Sequence, residues 1–140
     1  MKRNKIQWIV GIILTIGSVQ TYGQAIFPEI TVNLTYPQFQ RLKSDEGYAY
    51  ISGGMRGIIL YRVNENSILA FDRACPHHPE ASCAEVQVDM SSLFLIDRCC
   101  KSTFNFENGS PTGGPAQRPL LQYHTELSGM VLKISDEIIN

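Results

Sequence analysis

The sequence carries no surplus of either charge. In 140 residues, 12 Lys and Arg stand against 13 Asp and Glu, a formal net charge of -1. This balance gives no reason to expect a nucleic-acid partner, which would ask for a basic face. Cysteine is scarce too. Four are present, too few to replace a hydrophobic core but enough for two disulfides, or for one metal site with a remainder. There is no internal repeat or low-complexity tract, and the ordinary apolar content and length describe one globular domain. No phosphate-binding glycine loop appears, and no Ser, His and Asp in a hydrolase order. No apolar run reaches the roughly 20 residues that a membrane-spanning helix needs.

The longest apolar run sits at the N-terminus. The basic "MKRNK" leads into "IQWIVGIILTIGSV" (Ile6 to Val19), followed by "QTYGQA". A basic start, an apolar middle and small residues around Gly23 and Ala25 have the layout of a secretory signal. No cysteine lies near this cleavage region, so it offers no lipid-attachment site. The sequence therefore divides into residues 1–24, a signal peptide, and residues 25–140, one domain. The alternative is an uncleaved N-terminal anchor, which would be the chain's only membrane contact. Either way the domain is expected to be exported, periplasmic or secreted, where disulfides persist.

The remaining pattern is mostly β. "ITVNLTY" (Ile30 to Tyr36) alternates apolar and polar residues. "PQFQRLKSDEG" predicts one short helix, with Pro37 in its first turn, Phe39 and Leu42 inward, and Gly47 closing it. Short strands follow in "YAYISGG", "RGIILYRV", "SILAFDR", "AEVQVDM", "SLFLIDR" and "STFNFENGS". Turns are expected at Asn64 to Asn66 and at Asn108-Gly109. "PTGGPAQRP" reads as a loop, and "LLQYHTELSGMVLKI" as two strands around Ser128-Gly129. Tyr48, Tyr50, Phe71, Phe94, Phe104 and Phe106 fall on alternating positions and are expected mostly in the core. The sum is an all-β antiparallel sandwich or open barrel with one short helix.

Chemistry concentrates in two stretches. "ACPHHPEASC" (Ala74 to Cys83) holds two cysteines and two histidines, and "DRCC" (Asp97 to Cys100) holds two more cysteines. Alternate side chains of a loop can converge, so Cys75 and His77 offer one thiolate and one imidazole to a metal. The strands "VQV" and "LFLI" lie between the stretches and would set the two loops facing each other.

With these residues the sequence resembles the Rieske family. The resemblance rests on Cys75-Pro76-His77, the intervening hairpin, the second cysteine loop, Ser102-x-Phe104, and Gly114-Pro115-Ala116-x-x-Pro119-Leu120 before a final hairpin. It covers roughly residues 46 to 135 and describes an exported, bacterial-type member with an altered ligand set. It implies a [2Fe–2S] cluster held by one Cys and one His from each loop, one-electron transfer, a redox protein partner and no catalysis by the chain itself. In many exported members a further cysteine pair joins the loops, which implies Cys83–Cys99 here.

The second loop departs from the family pattern. Aligned on Ser102 and Phe104, Asp97 takes the place of the ligand cysteine, Arg98 that of a proline, Cys100 that of the ligand histidine and Lys101 that of a glycine. Three readings stay open. In the first, a cluster with altered ligands uses Cys75 and Asp97 on one iron, and His77 and Cys100 on the other. The second has no cofactor: Cys83–Cys99 and an additional Cys75–Cys100 disulfide staple a binding or structural module. The third is a single ion such as zinc on Cys75, His77, Asp97 and Cys100. The family resemblance sets the cluster first.

Other features have plainer readings. His124 sits alone on a strand and reads as structural or exposed. His78 and Pro79 read first as a solvent-exposed loop; the resemblance would make them a rim of the cluster position, where partners of the family dock. Gly113 and Gly114 let the proline-rich loop pass close to the cysteine loops. A Cys75-His77 nucleophile is disfavoured, since two residues apart in a loop they suit shared ligation better than proton transfer.

Overall fold

A computed structural model describes residues 26–140, so the segment read as a signal or anchor lies outside the described residues. Among these, no helix is long and apolar enough to cross a membrane. Ten strands form: β1 Ile30–Asn33, β2 Tyr48–Ile51, β3 Ile58–Asn64, β4 Ser67–Asp72, β5 Val86–Val88, β6 Leu95–Asp97, β7 Thr103–Phe104, β8 Pro111–Gly113, β9 Gln122–Ser128 and β10 Val131–Ile138. They build two antiparallel sheets, one in the order β1-β10-β9-β4-β3-β2, the other β5-β6-β7-β8. The fold is all-β and antiparallel, with one short helix and two opposed cysteine-bearing loops.

The centre of the large sheet explains its apolar runs. On β3, Ile58 and Leu60 enter one core while Ile59 enters the other; on β4, Ile68 and Ala70 enter the first and Phe71 the second. These strands are covered on both faces, which is why "IILY" and "ILAF" are continuously apolar. One core packs the helix and β1 against the sheet through Leu34, Phe39, Leu42 and Leu132. The second lies between the sheets and contains Phe71, Val86, Leu95, Phe104, Leu120 and Cys75. The first cysteine is thus part of the inter-sheet core.

Four expectations are corrected. The helix is a 3-10 helix over Pro37–Lys43, ending before Gly47. Gly47 leaves the helix to pack its backbone on Arg41 and to accept the Arg62 N–H at 2.8 Å. β8 forms inside the segment read as a loop, because Thr103 pairs with Gly113 and Phe104 with Pro111. Tyr50 is 41% exposed; its ring lies under the Arg73 guanidinium at 4.5 Å and its hydroxyl accepts the Val88 N–H at 2.9 Å. Phe94 is only half-buried, next to the exposed tip of the β5–β6 hairpin.

Candidate functional site

The two loops leave the same end of the β5–β6 hairpin. Val86 pairs with Asp97 at the end of that ladder, so the chain just before Val86 runs beside the chain just after Asp97. Cys83 and Cys99 lie there and are joined by a disulfide.

The first loop is held at its root by Asp72, the buried last residue of β4. Its Oδ1 accepts the Ala74 N–H at 2.7 Å, and its Oδ2 accepts the Met55 N–H and the Tyr123 hydroxyl, each at 2.6 Å. Gly54 stands at φ +58°, and a Cβ there would sit 2.2 Å from Asp72 Oδ2. Only glycine allows that approach. An Ala74–Glu85 bridge closes the loop. Arg56 Nη2 donates to the carbonyls of Pro79 and Ala81, and Arg118 Nη2 to that of Pro76.

The second loop is a tight turn, in which the Lys101 N–H donates to the Asp97 carbonyl at 2.8 Å and the Asp97 N–H to the Ser102 carbonyl at 2.9 Å. Closing it requires a left-handed residue, and Lys101 takes φ +65°. The proline-rich loop lies against this turn. Gly114 passes so close that a Cβ would meet the Ser102 Cα at 2.5 Å, and the Ala116 N–H donates to Ser102 Oγ at 3.0 Å.

At the centre, Cys75, Asp97 and Cys100 bring their donor atoms within 4.8 Å of one another. Cys75 and Asp97 are fully buried and Cys100 partly so; neither Cys75 nor Cys100 is in a disulfide. Cys100 Sγ lies 3.1 Å from Asp97 Oδ2, 3.5 Å from Cys75 Sγ and 3.0 Å from Ser102 Oγ. The Cys99 N–H donates to Asp97 Oδ1 at 2.8 Å. Burial, followed by the bond to Asp97, pushes the Cys75 thiol up to about 12. Burial alone would raise the Asp97 carboxyl. The Cys75 and Cys100 thiols and the Cys99 and Cys100 backbone N–H groups outweigh it and hold that carboxyl below its usual range. The group is therefore a carboxylate held between two thiols, of which Cys75 strongly favours its protonated form.

His77 does not join it. The segment after Cys75 bends instead of running extended, so alternate side chains do not converge there. His77 is exposed, its ring 3.8 Å from that of His78, beside Pro76, Pro115, Gln117 and Arg118. His78 stands 3.9 Å from Glu80, and Pro79 lines a mostly apolar hollow with Met55, Pro76 and Pro119. His124 is on β9, 3.4 Å from Glu126 and outside the site.

A cluster of the kind the resemblance implies takes four ligands, two from each loop. Here three donors converge, the imidazole is elsewhere, and the two sulfurs already contact each other and the carboxylate. A four-ligand set does not fit this arrangement.

Sequence reasoning missed Asp72, Arg56 and Arg118 as builders of the site. Asp72 had a signal, a short acceptor ending a strand just before a cysteine loop. Arg56 had none, since its partners are backbone carbonyls more than 20 residues away.

No family model matches the chain, and no curated protein matches it. Solved structures do. A ferredoxin of carbazole 1,9a-dioxygenase from Nocardioides aromaticivorans IC177 aligns with a TM-score of 0.49 and 19% identity, over 67% of this chain and 88% of that one. A chain in a complex of reduced oxygenase and oxidized ferredoxin in carbazole 1,9a-dioxygenase aligns with a TM-score of 0.55 and 18% identity, over 84% of this chain and 99% of that one. The latter likeness shows the fold, which is Rieske-like.

Proposed function

We propose that this chain is an exported redox module of the Rieske fold, which exchanges electrons with a protein partner and catalyses nothing alone. The observation that carries the reading is the buried Cys75–Asp97–Cys100 group. It stands where the two opposed loops meet, at three of the four positions that the resemblance gives to ligands. A structural neighbour described as a ferredoxin in complex with an oxygenase supports the expectation of a protein partner. Export rests on the N-terminal pattern and agrees with the Cys83–Cys99 disulfide.

The centre has two forms to decide between. In the iron–sulfur form, Cys75 and Asp97 would hold one iron, and Cys100 and His77 the other. A [2Fe–2S] group there would supply one-electron exchange. Its support is the match of positions; against it stand the separated His77 and the contact between the sulfurs. In the cofactor-free form, Cys83–Cys99 staples the loops and Cys75 with Cys100 is the reactive pair. The 3.5 Å between their sulfurs favours this form.

Protein made anaerobically with ample iron separates them. Iron and sulfide at about two each per chain, with visible colour, establish the iron–sulfur form. Colourless, iron-free protein with two alkylatable thiols establishes the other. Iron-free protein whose thiols exchange with no disulfide overturns the redox reading and leaves a stapled structural module.

A further inference from the structure

Resting on that redox reading, we infer that Cys75 and Cys100 form a reversible dithiol–disulfide couple, which in its disulfide form takes a partner's dithiol as its substrate and is biased toward the reduced state by Asp97. The sulfurs are 3.5 Å apart and free. Closing a bond of about 2.05 Å between them asks for a shift of about 1.5 Å. They come from opposite loops, which Cys83–Cys99 and the β5–β6 ladder hold in register. The pair is thereby kept together without being crosslinked.

The two thiols have unequal access, which sets their order of use. Cys75 is fully buried; Cys100 is partly open. Cys100 is therefore the entry sulfur. A partner thiolate attacks the Cys100 sulfur of the Cys75–Cys100 disulfide, forming a mixed disulfide and expelling the Cys75 thiolate. The partner's second thiolate then attacks its own sulfur in that mixed disulfide. The partner disulfide forms and the Cys100 thiolate leaves. The two partner thiol protons pass to Cys75 and Cys100. The chain is reduced by two electrons and the partner dithiol becomes a disulfide.

Asp97 sets the balance. In the dithiol state its carboxylate accepts from Cys100 at 3.1 Å, and the Cys75 sulfur lies within 4.8 Å of it. In the disulfide state the thiol donor is gone, and only backbone N–H groups remain to a buried anion. A carboxylate that loses hydrogen bonds without regaining water is destabilised. The couple is thus more oxidising than an ordinary structural disulfide, and a buried Asp in place of a ligand cysteine acquires a purpose. Among the described residues no hydrogen bond reaches the Cys83 or Cys99 sulfur, and this bridge stays closed under conditions that open Cys75–Cys100.

The test uses the full chain, equilibrated anaerobically with mixtures of reduced and oxidised glutathione. Thiols are then trapped by alkylation, and the linked peptides are quantified by mass spectrometry. The expected result is a Cys75–Cys100 crosslink that appears and disappears reversibly, while Cys83–Cys99 remains linked throughout. Asp97→Asn shifts its midpoint about tenfold toward the disulfide in the glutathione ratio. The wild-type titration carries the proposal if that variant does not fold. Cys75 and Cys100 alkylatable at every ratio in iron-free protein overturns both this inference and the redox reading. Bound iron with sulfide, and no crosslink, overturns the inference alone. Pairing of Cys100 with Cys83 or Cys99 overturns it as well, since the couple would then be a different one.

Discussion

The Asp97 carboxylate lies 3.1 Å from the Cys100 sulfur, in the position that the resemblance gives to a ligand cysteine. One substitution thus replaces a thiolate with an acceptor that favours the protonated Cys75 thiol. This has a consequence for stability against pH. The Cys75 thiol is pushed up to about 12 by its burial and then by Asp97, so the folded state binds that proton more tightly than the unfolded chain. Its contribution is complete below the ordinary thiol value of about 8.5, and is lost as pH rises through about 12. Asp97 works in the opposite direction. Its lowered carboxyl contributes above the ordinary carboxylate range, and the contribution is lost as pH falls through the folded value. Urea unfolding under anaerobic conditions should show stability falling between about pH 9 and pH 12, by up to about 1.4 kcal/mol per pH unit. Cys75→Ala should flatten that limb. An unchanged alkaline slope in the variant would refute the assignment.

The disulfide between Cys83 and Cys99 closes a loop with a sequence separation of 16. A loop of that size restricts the unfolded chain by about 3 kcal/mol in the loop-entropy account. Replacing both cysteines by serine should lower the unfolding free energy by about that amount with a folded spectrum retained. Urea midpoints measured without reductant give the comparison. A loss under about 1 kcal/mol would show that the β5–β6 ladder already orders both loops.

How far the sequence discloses this site depends on the range of the interaction. Alternation in "ITVN", "VQV" and the last hairpin marks strands because one face of each meets a core. The runs in β3 and β4 mark strands covered on both faces. β8 escapes notice because Thr103 and Phe104 recruit Gly113 and Pro111 across a ladder, overriding the loop composition of "PTGG". Cys75 is legible as half of a hook. The position of His77 is not, since it depends on a bend fixed by contacts from Arg56 and Arg118 to loop carbonyls. Tyr50 shows the same limit, held at the surface by the Arg73 guanidinium and the Val88 N–H instead of entering the core.

Lys101 occupies a left-handed position, φ +65°, in the turn that presents Cys100. A non-glycine residue there costs about 1–2 kcal/mol, and a glycine returns part of that through the entropy of the unfolded chain. Lys101→Gly should therefore raise stability by about 0.5–1 kcal/mol. It should leave the Cys83–Cys99 linkage as it is. Thermal unfolding compares the two chains. A destabilised variant would mean that the lysine side chain makes a contribution larger than its backbone strain.

Asp72 connects three parts of the molecule, since one carboxylate accepts from the first cysteine loop, from the β2–β3 turn and from Tyr123 on β9. The Tyr123 hydroxyl is fully buried and raised above its ordinary value by burial and then by Asp72, so it remains a donor. Tyr123→Phe removes one of three donors from a buried anion, and should cost about 1.5–3 kcal/mol, the range for hydrogen bonds to charged groups. Asp72→Asn should cost more, because an amide NH2 turned toward either side opposes a backbone N–H. In the double variant the two losses should not add, since the tyrosine bond is already compromised once the carboxylate is gone. Urea denaturation of the four chains measures the coupling. Full additivity would show that Tyr123 and Asp72 act independently, and that the first loop is anchored by the Ala74 bond alone.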